Sequence, residues 1–491
     1  MIRSLHRILL TGLAAASLSA CRVGPNFHAP TLPNRTDSPW MSRDPTAETT
    51  VEPPDAWWRL YSDPRLDQLV QEALRTNRDL AAADANFTAA RAGLSAAHAN
   101  RYPTTELAAG GLYGRDVVTD EILELGGHRP QTTWLFEDIF QAAYEVDLFG
   151  RVHRAIEAAN ANADSVAATR DSVRVVVVAE VTRAYAAICA LGEQVNVAHH
   201  SLQIVSHEAD IVAQRYEAGG NSQYDVRRAQ ALVAQVKASI PTLEGQRRAA
   251  LFELTAVLGQ TPADAPRDVE QCVRPPQLLV LIPVGDGVSL IRRRPDVRQA
   301  ERRLAAATAQ IGVATADLYP TIRLVGLYGG AAVELSELTT NLGVTWGVGP
   351  SISWNFLNQA AARARVRQSK ASEAAALAAF DSVVLNALKE TEQALALYGA
   401  ALANRQSLAE AQDKIHGSFD IAHDEFLAGS LSNLDLLTTE QSLVALDAAV
   451  ASADATLVQD QIAVFKALGG GWRKEDRAAQ QPSSAQTGAG S

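Results

Sequence analysis

The sequence feature that most constrains the fold is a strand pattern that runs directly into a very long helical pattern at residues 144–151. Residues 132–148 alternate between a mostly apolar, aromatic set of side chains and a mixed set. This alternation predicts a strand with one face against an apolar environment. From about residue 152 to residue 216, apolar side chains recur at spacings of three and four, the pattern of a coiled-coil seam. Such a helix of roughly 65 residues is about 100 Å long, which is rare in ordinary globular enzymes.

An internal repeat predicts that the chain contains two copies of one structural unit. Residues 79–104 align without gaps with residues 296–321, and residues 216–225 align with residues 426–435. Each half is therefore predicted to contain a helix, two strands, a very long helix, a tight turn and a second long helix. Because their apolar seams can pack side by side, the two long helices of each half should form an antiparallel hairpin.

The repeat sets the predicted domain boundaries. In chain order these are a signal peptide at 1–20, an arm at 21–56, the first repeat at 57–259, a connector at 260–290, the second repeat at 291–472 and a disordered tail at 473–491. Strands are predicted at about 104–115, 132–148, 321–333 and 342–356, and long helices at about 151–218, 222–258, 360–428 and 432–467. The arm is polar and rich in proline, so we expect it to lie extended on the surface.

The N-terminus predicts export from the cytoplasm. Arg3 and Arg7 precede an apolar run at residues 8–18, as in a secretory signal. The sequence Leu-Ser-Ala-Cys that ends at Cys21 resembles a bacterial lipobox, which would make Cys21 the acylated first residue of the mature protein. The alternative is an ordinary signal peptide with a chance cysteine. Arg22 after the cysteine resembles the sorting pattern of outer-membrane lipoproteins.

The strands, rather than helices, are predicted to cross the membrane. After the signal no run of 18 or more apolar residues remains, so we do not expect a spanning helix. In the predicted strand at 342–356 one face is apolar and aromatic and the other is small and polar, as in outer-membrane barrels. Four strands cannot close a barrel, and open sheet edges in lipid leave unpaired backbone groups. The predicted fold is therefore mostly α with a transmembrane β-barrel, completed by three copies that contribute twelve strands and continued by an α-helical barrel.

The composition and the motifs do not predict an enzyme or a cofactor. A formal net charge of −11 provides no basic field to attract nucleic acid. Three cysteines are too few for a disulfide framework and match no zinc pattern, although a bond between Cys189 and Cys272 stays open. His199, His200 and His207 lack the spacing of metal ligands on one helix face, so we interpret them as surface residues. No phosphate-binding loop, nucleophile elbow or paired metal motif is present in the sequence.

A basic run at residues 292–294 has two interpretations. Three arginines before Pro295 and Asp296 could bind phosphate. The simpler interpretation is a helix that begins at Pro295, with the arginines paired to nearby carboxylates. We favour the helix start.

Several motifs together resemble the TolC/OprM/NodT family of outer-membrane efflux lipoproteins. They are Leu18–Cys21 with Val23-Gly-Pro25, Glu145-Val-Asp-Leu-Phe-Gly-Arg151, Arg293-Arg-Pro-Asp296 with Ala300-Glu301, Gly312-Ala314-Ala316-Tyr319-Pro320, and Leu468-Gly-Gly-Gly-Trp472. The resemblance covers essentially the whole chain. It implies a homotrimer in the outer membrane that extends into the periplasm and acts as the exit duct of a tripartite pump. The implied partners are a periplasmic adaptor and an inner-membrane transporter, often of the proton-driven RND type. The alternatives are a coiled-coil envelope scaffold or adhesin lipoprotein and a duct for type I protein secretion.

The sequence departs from the family pattern at the expected periplasmic gate. Family members often carry Leu-Asp-x-x-Arg where this chain has Leu437-Thr438-Thr439-Glu440-Gln441, and a tyrosine is replaced by Phe426. The candidate gate residues are Asp225, Arg228, Phe426, Asp435 and Glu440. Their alternative roles are helix caps and solvated helix faces. We expect charge reversal at Asp435 to change conductance or drug sensitivity more than reversal at a mid-helix carboxylate such as Glu208.

Two strand-to-helix joins complete the candidate sites. The first contains Asp147, Phe149 and Gly150, and its glycine would let the backbone turn from the strand into the helix. The second contains Phe356 and reads Phe-Leu-Asn-Gln-Ala, without a glycine. The sequence does not explain this asymmetry.

Overall fold

The computed structural model describes residues 22–33, 36, 38–115, 124–125, 132–278, 280–338, 340 and 344–471. The predicted signal peptide, Cys21, Trp472 and the predicted tail lie outside these described residues. The chain divides into two compact units: the first comprises residues 1–31, 87–166 and 299–380, and the second comprises residues 32–86, 167–298 and 381–491.

The described residues form the helices and strands that the repeat predicts, together with two short strands, β1 and β4, and a short helix, α5. The helices are α1 (Pro64–Thr76), α2 (Arg78–Ala99), α3 (Arg151–Glu217), α4 (Gln223–Val257), α5 (Gly287–Arg293), α6 (Pro295–Ala316), α7 (Gln359–Leu427) and α8 (Asn433–Ala467). The strands are β1 (Glu48–Thr49), β2 (Thr104–Gly114), β3 (Thr133–Val146), β4 (Ile282–Pro283), β5 (Thr321–Ala332) and β6 (Val344–Ser353). The long helices α3 and α7 contain 67 and 69 residues.

The first unit contains a four-stranded antiparallel sheet in the order β2-β3-β5-β6. The four predicted strands are present, and β6 ends at Ser353, three residues before the predicted end. A 3₁₀ turn at Phe356–Asn358 follows and leads into α7, so the chain leaves the sheet earlier than the alternation indicated.

The second unit contains most of the two helical hairpins and the main apolar core. Val181, Ala184 and Ile188 of the predicted seam in α3 are fully buried, so the heptad interpretation is confirmed there. The same core includes Trp57, which stacks on Phe465 with ring centroids 4.8 Å apart. Stacked aromatic pairs of this kind stabilise a core beyond the apolar area that they bury.

The disulfide that the sequence left open is present. Cys189 of α3 is bonded to Cys272 in the connector, 83 residues away in sequence. Arg247 lies between Leu243 and Ala250 in the apolar three-four spacing of α4. It donates hydrogen bonds to the carbonyl oxygens of Cys272, at 2.8 Å, and Glu270. The arginine therefore holds the connector against the hairpin, which explains a charged side chain at an apolar position.

The prediction that the whole arm lies on the surface is wrong. Trp40 and Ala47 are buried in the core of the second unit, and the Trp40 indole N–H donates to the carbonyl oxygen of Gly285 at 3.2 Å. Strand β1 pairs in parallel with β4. The proline-rich composition suggested an extended surface segment. Two-residue strands and a single buried indole leave no periodic signal in a sequence, so the buried contacts of the arm could not be predicted.

After the signal the sequence has no unbroken run of 18 apolar residues, yet some helices are long enough, and apolar enough on average, to cross a membrane. Among the described residues, three helical segments are long and apolar enough: Arg151–Glu217, Phe356–Leu427 and Asn433–Ala467. Their alanine content raises the mean hydropathy without producing an unbroken apolar run. In the first of these segments, 72% of the apolar window is buried inside the protein.

Candidate functional site

The four-stranded sheet has one apolar face and one charged face. Leu107, Phe140, Tyr328 and Trp346 stand opposite one another across the four strands and therefore share a face. These side chains are exposed, and Trp346 has 73% of its surface accessible. An exposed apolar face of this extent indicates contact with another surface or with lipid.

The charged side chains of the four strands lie almost entirely on the opposite face. The register places Glu106 opposite Gln141 and Glu145 opposite Arg323, and Glu137 alternates onto the same face. Asp138 is the exception in these strands, because it alternates onto the apolar face between Phe136 and Phe140. The sheet therefore resembles a wall between a polar and an apolar medium.

The outer edges of β2 and β6 have no strand partner within the described part of this chain. Each edge presents 10 or 11 residues of backbone with outward N–H and C=O groups that no neighbouring strand satisfies. Such an edge pairs readily with another strand, and in lipid an unpaired edge is strongly disfavoured. The sheet is therefore incomplete as a membrane structure in one copy of the chain.

The first strand-to-helix join brings Asp147, Phe149 and Gly150 together. The Asp147 carboxylate accepts hydrogen bonds from the backbone N–H groups of residues 152 and 153, at 3.0 and 2.8 Å, and so caps the start of α3. Gly150 has a φ of +78°, a conformation that favours glycine. The Phe149 ring stacks on Tyr319 with centroids 4.5 Å apart. An ion pair between Glu145 and Arg151, with two hydrogen bonds, braces the same turn.

The second join is built differently. Phe356 is exposed and opens the 3₁₀ turn that precedes α7. The Trp354 indole N–H and the Gln359 side-chain amide both donate to the carbonyl oxygen of Leu318, each at 3.2 Å. Side-chain hydrogen bonds to the preceding loop thus fix this join without a left-handed residue.

A buried arginine that the sequence analysis missed fixes the N-terminal segment at the first join. Arg154 is 2% exposed and donates to the carbonyl oxygens of Val23 and Gly24 and to the Asn26 side chain. A Cβ atom at Gly24 would lie 2.5 Å from the Cα atom of Gly312, so both glycines permit a close approach of the backbones. A lone arginine on a helix gives no sequence signal, although both glycines belong to motifs noted above.

Asp225 and Asp435 lie at the starts of the returning helices. Each interacts with the serine three residues earlier: Ser222 and Asp225 form a complete capping box, and Ser432 accepts a hydrogen bond from the Asp435 backbone N–H. The Asn433 side chain donates to Asp225 at 3.3 Å and links the two hairpins. The hydrogen bonds from Ser222 hold the pKa of Asp225 below its usual value. The capping role weighed in the sequence analysis is therefore present for both aspartates.

Phe426 and Arg228 lie close to the same turns. Phe426 is buried against Val212 and Leu436, and the Arg215 guanidinium sits 4.2 Å above its ring. Arg228 lies over the ring of Tyr224 at 5.6 Å. Phe426 lacks the hydroxyl of the tyrosine named in the sequence analysis, and its ring instead makes a cation–π contact with Arg215.

Glu440 is a buried carboxyl group rather than a solvated one. It is 3% exposed, and burial, followed by the nearby charge of Glu208, raises its pKa to about 8. Glu208 is itself only 4% exposed, and its Oε1 atom lies 2.9 Å from Nδ1 of His423 without hydrogen-bond geometry. Glu208 is therefore a poor reference for a solvated carboxylate, which corrects its use in the comparison proposed above.

The remaining residues singled out by the sequence have structural surroundings. Arg294 pairs with Asp296 and Glu390, at 2.7 and 2.8 Å, and Arg293 pairs with Asp55 at 3.0 Å. Helix α6 begins at Pro295, so the helix-start interpretation is confirmed. His199, His200 and His207 of α3 are exposed. In the part of the chain that the structure describes, no group of three or more His, Cys, Asp or Glu side chains is arranged to hold a metal ion.

Comparison with known proteins identifies similar chains over nearly the full length. The family model described as "Outer membrane efflux protein" matches residues 69–260 and 288–470. Nodulation protein T of Rhizobium leguminosarum bv. viciae is 28% identical over 455 residues, which cover 93% of this chain and 92% of that protein. The antibiotic efflux pump outer membrane protein ArpC of Pseudomonas putida is 28% identical, with 98% and 99% covered. The solved structure of the outer-membrane channel OprN has a TM-score of 0.82 and 32% identity, with 92% of this chain and 100% of that chain covered.

Proposed function

The chain belongs to the outer membrane efflux protein family, and we propose that it acts as a homotrimer. It is the outer-membrane channel of a tripartite efflux pump. Such a pump also contains a periplasmic adaptor and an inner-membrane transporter, which we take to be of the RND type. The exported cargo would be drugs or other small toxic compounds, since one relative belongs to an antibiotic efflux pump.

The observation that supports the trimer is the four-stranded sheet with two unpaired edges. If β2 of one copy pairs with β6 of the next, four strands from each of three copies close a ring of twelve. The apolar face with Trp346 would then meet lipid, and the face with Glu106 and Arg323 would line the lumen. Closure satisfies the edge backbone groups that lipid cannot.

Lipidation at Cys21 would give the channel a second attachment to the membrane. The residues directly after it are held at the first strand-to-helix join by Arg154. An acyl chain on Cys21 would therefore start next to the base of the sheet, the end at which β3 is followed by α3. A lipid chain together with a barrel gives a stronger attachment than a lipid chain alone.

The candidate gate lies at the tight turns of the two hairpins. Asp225 and Asp435 cap the returning helices there, Phe426 and Arg228 lie beside them, and Glu440 is buried in the following turns of α8. In a trimer these turns would form the periplasmic end of the α-helical barrel. Charges at the turns would then control access to the lumen through their contacts with neighbouring copies or with the adaptor.

Single-channel recording tests this function. Purified full-length protein in planar bilayers should form pores, and its mass in detergent should correspond to three copies. A trimer without conductance, even after charge reversal at Asp435, would support the envelope scaffold instead. In a deletion strain, the gene should restore growth in the presence of toxic small compounds. Restored secretion of a protein, without such resistance, would favour the type I secretion duct.

A further inference from the structure

A cationic cavity of about 520 Å³ lies beside the first strand-to-helix join. Its lining includes Arg22, Asn100, Arg101, Tyr144 and His153. We propose that this cavity binds the phosphate of a phospholipid headgroup from the inner leaflet of the outer membrane. The proposal rests on the function proposed above, because that function places the base of the sheet at the membrane surface.

The positive charge of the cavity has no carboxylate partner of its own. Arg22 contacts His153, with Nη2 of the arginine 3.2 Å from Nδ1 of the ring, and the described residues offer neither Arg22 nor Arg101 an ion pair. Burial, followed by the charges of Arg22 and Arg101, lowers the pKa of His153. The ring is therefore neutral at pH 7, and Nδ1 can accept the Arg22 hydrogen bond. Arg22 and Arg101 line the same cavity as this neutral ring, so several guanidinium N–H groups remain available for an anion.

Two carboxylates in the cavity wall do not cancel this charge. Glu145 is occupied by a bidentate ion pair with Arg151 and lies 3.7 Å from Arg323. Asp147 is occupied by the backbone N–H groups at the start of α3. Arg151 offsets the charge of Glu145, and Glu157 near His153 is paired with Arg154. Arg22 and Arg101 therefore face only the charge of Asp147, and the cavity keeps a net positive charge. A phosphate diester has two free oxygens and can accept parallel hydrogen bonds from guanidinium groups, as a carboxylate does.

Aromatic side chains at the same end of the sheet indicate the level of the membrane surface. Tyr102, Tyr144 and Trp354 are exposed where β2 begins, β3 ends and β6 ends. Tyrosine and tryptophan collect at membrane interfaces, because one part of the ring is apolar and the other can hydrogen-bond. The lipid anchor proposed at Cys21 directly precedes Arg22. The cavity therefore opens where inner-leaflet phosphates would lie.

Lipid binding can be measured on the lipidated, full-length trimer by native mass spectrometry with added phosphatidylglycerol. The test variant is Arg22→Gln/Arg101→Gln, and Arg101→Gln alone serves as a second variant because residue 22 also lies in the sorting signal. The matched control is Arg227→Gln/Arg248→Gln, which removes two exposed arginines of α4 outside the cavity. We expect the affinity for phosphatidylglycerol to be about tenfold lower in the double variant than in the parent protein. The decrease should be smaller in Arg101→Gln. The control should bind like the parent protein.

Equal binding by the parent protein and the double variant would overturn the proposal. A second arm distinguishes the source of the phosphate: inorganic phosphate at millimolar concentration should not displace the lipid. If it does, or if glycerophosphoglycerol without acyl chains binds equally well, the cavity is a site for free phosphate rather than for lipid. Conductance separates this question from the channel function. If the protein forms no pores but its lipid binding still depends on Arg22 and Arg101, the proposed channel function is refuted and the lipid site is retained.

Discussion

Replacing Glu440 with glutamine should remove part of the pH dependence from the unfolding of this protein. The Glu440 carboxyl group is buried in the core of the helical hairpins, its Oε1 atom has no hydrogen-bond partner, and Glu208 is close enough to repel its charged form. The folded protein therefore favours the protonated form, with a pKa of about 8 against an ordinary value of 4.5. Glutamine has a similar shape and never carries the charge.

The sign and the size follow from proton linkage. Between pH 4.5 and about 8 the folded protein holds a proton that the unfolded chain has released, so stability falls as the pH rises. The contribution is complete below the unfolded pKa and is lost as the pH passes through the folded pKa. Each pH unit within this window changes the free energy of unfolding by about 1.4 kcal/mol, so two units change it by roughly 3 kcal/mol. With an unfolding entropy of about 2 cal/mol/K per residue, this corresponds to roughly 3 °C in Tm.

Thermal unfolding of detergent-solubilised trimers at pH 5.5, 6.5 and 7.5, followed by circular dichroism, measures this effect. Glu48, whose pKa is raised to about 7 by burial, also contributes a slope, so the difference between the parent protein and Glu440→Gln is the informative quantity. The control is Asp413→Asn, at a carboxylate with 77% of its side chain exposed. If Glu440→Gln keeps the parental dependence on pH, Glu440 is ionised in the folded protein and the reasoning is refuted.

Three further changes test other parts of the structure. Arg154→Ala should lower the free energy of unfolding by about 3 kcal/mol, because it removes a buried arginine and leaves the carbonyl groups of Val23 and Gly24 without their donor. It should also speed proteolysis of the N-terminal segment, and unchanged Tm and cleavage would contradict this. Reductant should lower the free energy of unfolding by about 2–4 kcal/mol, because it breaks the Cys189–Cys272 bond. It should have no effect on a variant in which both of these cysteines are replaced by alanine. Asp435→Lys should change single-channel conductance more than Asp413→Lys, and equal effects would remove Asp435 from the gate.

The sequence predicted the strands and the hairpins because their signals are local. Gly219 and Gly429, with φ values of +81° and +79°, end the long helices, and the serine caps that follow restart them within a few residues. Alternation and heptad spacing repeat many times along the chain, so errors at single positions average out. The resulting boundaries differ from the structure by only a few residues.

Contacts between distant segments could not be predicted in the same way. Arg154 holds residues that lie about 130 positions earlier in the sequence, and Gly312 completes that site from another helix. The burial of Glu440 and Glu208 could not be predicted either, because both lie in long helices whose polar residues are usually expected to face solvent. Their burial depends on which helix packs on which, and a single sequence does not contain that information.

The asymmetry between the two strand-to-helix joins has a physical explanation in the N-terminal segment. A Cβ atom at Gly150 would lie 3.2 Å from the Cα atom of Arg22, so the glycine provides room for that segment as well as for a left-handed turn. At the second join a 3₁₀ turn at Phe356–Asn358 leads into α7, and none of the described residues of that turn has a positive φ. Gly150→Ala should therefore be destabilising by about 1–2 kcal/mol from the backbone alone. It should also loosen residues 22–26, which limited proteolysis would detect as faster cleavage.

Asn358→Gly at the second join is the matched comparison for Gly150→Ala, because it adds a glycine where the structure does not require one. We expect it to lower stability by less than 1 kcal/mol through the greater freedom of the unfolded chain and to leave cleavage of the N-terminal segment unchanged. If Gly150→Ala lowered the Tm without any effect on the N-terminal segment, the glycine would serve the turn alone. The asymmetry would then need a cause within the turns themselves, since the close approach of Arg22 would have no measurable consequence.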